Sequence, residues 1–406
     1  MRSTSAARRR DLWAGSALAA MLLTGCQAGS ASVAPEQVPG GVATSSPATT
    51  AAPPTIAVTP ADDATGVRPD EPVTVTVTGG TLGDVVLKTG DGEPIDGELS
   101  SDRTMWTSTQ NLRTKKRYTI AATAQNADGV QTTQTASFRT VTPKDSADYF
   151  LVPSGSGPVG VGMPVVVQFA GLVDKDKQDD IEKRVSVSSV PHMDGAWGWL
   201  DARQLIWRPA QYWQPGTKVT VKADIGGIET RDGVWTSRST TNTFTVGDAM
   251  VSTVNTRTHR MTVTKNGKVL RVLKVSTGRP GSDTETRNGV KVILSRESEH
   301  TMDSATVGIK KGDPAYYRID TKWAMRLTWS GEFLHSAPWS VGSQGNANVS
   351  HGCTNLSPAD AKWLFDRSRL GDVVKFTGSG RTLEDYNGYT MWNMSLAEWA
   401  KRSALD

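Results

Sequence analysis

Two of the five histidines in this chain, His335 and His351, lie within 18 residues of Cys353. The local text is Phe333-Leu334-His335-Ser336-Ala337-Pro338, then Ser350-His351-Gly352-Cys353-Thr354-Asn355. A thiol beside an imidazole is a nucleophile beside a base. A free thiol has a pKa near 8.5, so only about 3% is thiolate at pH 7. An imidazole that takes the proton raises the reactive fraction and can return the proton to a leaving amine. Gly352 lets the backbone turn beside the nucleophile, with N–H groups pointing at a developing oxyanion. One such donor is typically worth roughly 2.7–4 kcal/mol in a transition state. The chemistry these residues suit is acyl transfer through a thioester.

The residues alone leave three other readings open. Cys353 is also compatible with an inert buried thiol. His335, His351 and Cys353 are types that bind zinc, although no second Cys and no evident carboxylate base completes a metallohydrolase. His351 competes with His335 as the base, because positions i and i+2 of a strand share a face.

Cysteine usage narrows the choice. Cys26 and Cys353 are the only two in 406 residues. Arg8-Arg9-Arg10 followed by the apolar run Leu12 to Leu23 reads as a signal segment, too short to span a bilayer comfortably. It ends in Leu23-Thr24-Gly25-Cys26, which resembles a bacterial lipobox, with Cys26 lipidated as the first mature residue. An ordinary secretory signal is the alternative, and Arg9-Arg10-Asp11-Leu12 weakly resembles a twin-arginine signal. The expected location is outside the plasma membrane, anchored by lipid and facing the cell wall. With Cys26 spent on lipid, Cys353 is the sole thiol of an exported protein, where cysteines normally come in pairs. Removing residues 1–25 leaves 41 basic against 40 acidic residues, so the net charge of +4 carries no nucleic-acid implication.

The elements that must position Cys353 occupy the C-terminal third. Residues 26–54 are a Pro-, Ala-, Ser- and Thr-rich linker with one charge, Glu36. Val73-Thr74-Val75-Thr76-Val77 then alternates with period two, a strand with one buried face. A weak repeat follows: Trp106 precedes Tyr118 by 12 positions, as Trp207 precedes Val219. Residues 55–143 and 148–247 read as two immunoglobulin-like β-sandwich domains, spacers or docking modules by default. A third, β-rich domain spans 250–378. It opens with a hairpin from His259 to Lys274 that turns at Asn266-Gly267. Strands are expected at Val290–Leu294, Tyr316–Ile319, Met325–Trp329 and Glu332–His335. Residues 295–315 read as a long loop. A helix is expected over 358–370, with Ser357 as N-cap and Pro358 at its first position. The tail, 379–406, carries the capping box Ser395-Leu396-Ala397-Glu398 and two tryptophans, and is expected to pack on the third domain.

His335, fourteen residues, then Ser350-His351-Gly352-Cys353-x-Asn355 is similar to the signature of the L,D-transpeptidase catalytic domain. The order of signal, linker, two immunoglobulin-like domains, catalytic domain and Trp-bearing tail resembles the mycobacterial L,D-transpeptidases over nearly the whole mature chain. His335-Ser336-Ala337-Pro338-Trp339-Ser340 and Thr301-Met302-Asp303-Ser304 carry the same likeness.

The resemblance implies a peptidoglycan acyltransferase that needs no cofactor and no metal. Cys353 would attack the third-residue carbonyl of a donor tetrapeptide stem and expel D-alanine. A diaminopimelate amine of an acceptor stem would resolve the thioester into a 3→3 cross-link. His335 would be the base, the Ser336 carbonyl would orient its ring, and His351 would support the nucleophile. Gly352 and Cys353 N–H groups would form the oxyanion hole, with Tyr317 nearby. Ser350 and Asn355 would brace the loop. A 295–317 lid with Met302 would cover the donor site, and Trp339 would line the cleft. Carbapenems would acylate Cys353. Thr354 and Val307 depart from the family pattern and bear on the cleft and lid. The alternatives are an L,D-carboxypeptidase using the same acyl-enzyme and a non-catalytic wall-binding lipoprotein.

Overall fold

The computed structural model describes residues 52–155, 157–313 and 316–405. The expected signal 1–25, Cys26 and most of the 26–54 linker lie outside the described residues, as does the Val307 side chain. The fold is mainly β, with immunoglobulin-like sandwiches followed by a β-rich C-terminal domain.

The alternation at 73–77 does what period two requires. Val73, Val75 and Val77 are buried, and the strand Thr74–Thr78 lies between Thr55–Thr59 and Met105–Ser108. Gly97–Leu99 closes that sheet. The sheet facing it runs Pro94–Ile95, Thr81–Thr89, Arg117–Gln125, Gln131–Arg139. Trp106, Tyr118 and Phe138 fill the space between, with Tyr118 and Phe138 stacked at 5.5 Å.

A second sandwich repeats the plan. One sheet is ordered Tyr149–Val152, Val165–Phe169, Gln204–Pro209, Gly195–Asp201. The other is ordered Pro158–Val159, Thr240–Val246, Lys218–Ala223, Val185–Val190. Trp207 and Val219 enter this core as Trp106 and Tyr118 enter the first.

The C-terminal third packs two sheets around a separate core. Five strands run Lys268–Lys274, Arg260–Lys265, Met250–Asn255, Val373–Thr377, Gly289–Val292. Four run Ser295–Asp303, Arg318–Arg326, Phe333–Ser336, Thr354–Leu356. The hairpin turns on Asn266 and Gly267, both at positive φ (50° and 79°), as a two-residue turn matched to strand twist requires.

Several local expectations change. Ser295–Asp303 is a nine-residue strand, not a loop, paired along its length with Arg318–Arg326. It lacks an apolar stripe because neither face lies fully in a core, so its backbone partner holds it. The two strands expected at 316–319 and 325–329 are one strand, Arg318–Arg326, kinked where Trp323 adopts φ 60°. The helix is Pro358–Phe365, shorter than expected, with the Ser357 side chain accepting from the Asp360 N–H.

The tail corrects a larger expectation. It was expected to pack on the third domain through its tryptophans. Tyr389 does meet Trp329 there, edge-on at 5.8 Å. Trp392 and Trp399 instead meet the second sandwich. Trp392 meets Tyr212 at 4.6 Å with the rings tilted by 58°, and donates to the Gly162 carbonyl at 2.8 Å. Trp399 is fully buried over Gly198, where a Cβ would come within 2.8 Å of its ring. The Trp199 N–H bonds the Arg402 carbonyl, and the buried Glu182 accepts from Ser403 and the Ala404 N–H. Only the glycine surface admits an indole at that distance, which is why this ring docks there. The capping box forms as expected, with Ser395 and Glu398 capping reciprocally.

Asp372 sits at the joint between the second sandwich and the C-terminal sheets. It is 3% exposed, and its Oδ1 has no partner. Burial pushes its carboxyl up to about 7, against the hydrogen bond from the Arg369 N–H. A carboxyl raised in the folded state is penalised as pH climbs from its unfolded value, near 4, to about 7. Asp372→Asn is therefore expected to stabilise the fold above pH 7 by roughly 2 kcal/mol. That is less than the full shift implies, because the fold relaxes and admits water around a buried charge. The gain should vanish near pH 4. Urea melts at pH 4 and 8 check this, and equal gains at both would contradict it.

Candidate active site

Strand pairing brings the thiol and one imidazole together. Phe333–Ser336 runs parallel to Thr354–Leu356, with His335 opposite Asn355. Cys353 immediately precedes that strand, and it lines one cavity together with His335. Cys353 is 6% exposed and packs against Met302, Ala324 and Phe333.

His335 is buried, and its tautomer is fixed. Its Nδ1 lies 2.9 Å from the Ser336 carbonyl and 3.1 Å from the Thr321 hydroxyl. Thr321 itself donates to that carbonyl at 2.6 Å. A carbonyl only accepts, so Nδ1 carries the hydrogen and Nε2 keeps its lone pair. His351 is held differently. It is exposed, its ring rests on Tyr317 at 5.2 Å, and among the described residues no hydrogen bond orients it. Gly352 has φ 117°, so residues 351–353 are not an extended strand, and the shared-face argument for His351 lapses.

The loop is braced as expected of Ser350. Its hydroxyl donates to the Cys353 carbonyl at 2.6 Å and accepts from the Gly352 N–H at 3.2 Å. That second bond alters the expected oxyanion hole, since the Gly352 N–H is already taken. The Cys353 N–H has no partner among the described residues. A Cβ at Gly352 would meet only ordinary contacts, the Thr284 carbonyl at 3.5 Å and Glu332 Cγ at 3.6 Å. The residue is Gly for its φ, not for space. Asn355 donates to Ser340 Oγ at 3.0 Å and exchanges backbone bonds with Ser276.

Two cavities meet beside the thiol. One, of about 350 Å³, is lined by Cys353, His335, Tyr317, Met302, Trp339 and His351, among others. Trp339 is 52% exposed at 6.0 Å from the His335 ring. Met302 sits near the end of a strand rather than on a lid loop. The other cavity, of about 430 Å³, shares Met302, Tyr317 and His351 and continues past Gly331, Phe333 and Arg326.

The resting thiol and imidazole are both neutral. Burial pushes Cys353 up to about 12, against a backbone hydrogen bond from Phe333. Burial pulls His335 down to about 4, against its bond to Ser336. Among the described residues the thiol's hydrogen-bond partner is the Gly331 carbonyl, at 3.5 Å, and not an imidazole. Burial also holds the Tyr317 phenol neutral, near 12.

Sequence reasoning missed several neighbours. Thr321 carries no flag, being one threonine in a polar strand. Lys291 did offer one, a charge inside the apolar run Val290 to Leu294, and its partner Glu332 stands just before Phe333-Leu334. They form a buried ion pair, with Lys291 fully enclosed and its ammonium 3.9 Å from the Phe376 ring centre. Arg287 joins Glu332 at 3.1 Å and also pairs with Glu384. No group of three or more potential metal ligands occurs among the described residues.

An immunoglobulin-like portion followed by a β-rich domain with a Cys–His cleft defines the class. A family model described as a bacterial Ig domain matches residues 64–229, and one described as the L,D-transpeptidase catalytic domain matches 249–376. The chain belongs to the L,D-transpeptidase family and is an enzyme of that class. It is 36% identical to L,D-transpeptidase 2 of Mycobacterium tuberculosis, over 84% of this chain and 83% of that one. It is 31% identical to L,D-transpeptidase 5 of the same species, over 87% and 77%. A solved structure of L,D-transpeptidase 3 from that species, in complex with a faropenem-derived adduct, is 32% identical. It covers 57% of this chain and 98% of its own, with a TM-score of 0.48.

Proposed function

We propose that this enzyme joins peptidoglycan stems through a Cys353 thioester. The observation that carries this is the shared cavity of Cys353 and His335, with His335 Nε2 left free as a base. The thiol proton passes to Nε2 as sulfur attacks the carbonyl that links the donor's third residue, a diaminopimelate, to its terminal D-alanine. The tetrahedral oxyanion is met by the Cys353 N–H, with Tyr317 lining the same space. The imidazolium returns the proton to the D-alanine nitrogen, the C–N bond breaks, and free D-alanine leaves. A diaminopimelate side-chain amine then attacks the thioester, His335 takes its proton, and the thiol is restored with a 3→3 cross-link formed.

Carbapenems enter the same way, with the β-lactam carbonyl in place of the donor's. Intact mass after carbapenem treatment, followed by peptide mapping, tests the reading. One adduct on Cys353 is expected. The donor stem alone should release D-alanine, and adding an acceptor amine should give the cross-linked dimer. Tripeptide as the sole product would replace the transferase reading with a carboxypeptidase.

A further inference from the structure

Transfer to an amine imposes a direction on the donor. His335 protonates the departing D-alanine nitrogen and later deprotonates the incoming amine. Both nitrogens therefore pass on the His335 side of the thioester. The acyl remainder, which stays on sulfur, must leave the other way. The second cavity, which His335 does not line and Gly331, the thiol's acceptor, does, is the space that fits this remainder.

Its charges are mostly committed. Glu332 is held between Lys291 and Arg287, and Arg287 and Arg381 share Glu384. Asp303 caps the Ala305 N–H, and Asp283 is exposed. Arg326 is the exception. It is half-buried with no carboxylate partner among the described residues. Among the described residues the one hydrogen bond of its guanidinium is a long one, 3.4 Å from Nη1 to the Thr328 carbonyl. Its guanidinium carbon lies 4.4 Å from the Phe333 ring centre, and Phe333 packs on Cys353. A guanidinium held over a ring, with most of its N–H donors unspent, suits a planar two-oxygen acceptor.

We infer that Arg326 recognises a free carboxylate on the acyl portion of the donor stem, making this enzyme selective for unamidated donors. This rests on the thioester reading above. Two sources present that chemistry, the α-carboxylate of the stem's second residue and the side-chain carboxylate of its third.

The test uses four donor tetrapeptides: both carboxylates free, each singly amidated, and both amidated. D-alanine release is measured for the full chain and for Arg326→Gln. In parallel, binding of the same peptides to Cys353→Ala, with and without Arg326→Gln, is measured by calorimetry. The wild type should prefer a free carboxylate by ~10- to 100-fold, and Arg326→Gln should erase that preference by slowing the free-carboxylate donors more than the fully amidated one. Whichever single amidation abolishes the preference identifies the source. D-alanine release without carboxylate selectivity overturns this inference and leaves the thioester reading intact. Equal loss for every donor in Arg326→Gln also overturns it, as a structural effect. Arg326-dependent selectivity in binding without D-alanine release would uphold it and overturn the thioester reading instead.

Discussion

His335→Asn is expected to slow acylation of Cys353 by roughly 10²–10⁴-fold, and His351→Asn by less than tenfold. The difference follows from how each ring is held. His335 is buried, with Nδ1 committed to Ser336 and Thr321, so its free nitrogen is kept aimed into the cavity it shares with the thiol. His351 is exposed, and beyond its stacking on Tyr317 nothing described orients it. Because His335 is drawn to about 4 and Cys353 to about 12, no thiolate–imidazolium pair exists at rest. The proton moves only as sulfur attacks. Acylation by a carbapenem should therefore be nearly flat from about pH 5 to 8 and fall only as the base protonates near pH 4. Ultraviolet thiolate absorption should be absent over the same range. Stopped-flow acylation of both variants across pH measures all of this. A step between pH 6 and 7 that survives in His351→Asn would mean a preformed ion pair instead.

Glu332→Leu alone should cost about 3–5 kcal/mol of stability, and Glu332→Leu with Lys291→Met should recover most of it. Lys291 is fully enclosed, and burial pulls it below its ordinary range against the charge of Glu332. Removing Glu332 strands the enclosed Lys291 without solvent, whereas removing both replaces an ion pair by apolar volume. Arg287 keeps Glu384 in the double variant, so it is not stranded. Denaturant melts of the two singles and the double form the cycle. Additive losses would show that the pair is not coupled. The catalytic reading differs from the stability reading. Glu332 follows Gly331, the thiol's acceptor, so the double variant should stay folded yet show altered thiol reactivity.

Much of this was written in the sequence, unevenly. The motif around Cys353 was legible because the chemistry needs particular residue types at close spacing. The strand at 73–77, the Asn266-Gly267 turn and the Ser395 capping box were legible because their signals are local. Ser295–Asp303 was not. A ribbon solvated along much of its length has no period to read, and its partner lies 15 residues or more away. The Trp323 kink was hidden as well, since nothing in the sequence marks a tryptophan for positive φ. The docking of Trp399 on Gly198 joins residues two hundred positions apart, and no local pattern records such a pairing. The preference for His335 over His351 came from family likeness. The geometry supplies a physical ground for it in Thr321 and the φ of Gly352.

The tail also orders events in time. A chain emerging from a ribosome delivers its domains from the N-terminus first. The first sandwich closes on its own residues, 55 to 139. The second does not: the surface around Gly198 and Trp199 and the carboxylate of Glu182 await residues 399–404, which follow the catalytic strands. For the whole time that the catalytic third is being made, its neighbour waits with an apolar face open. That neighbour is completed only after the strands that carry Cys353 and His335 have been made.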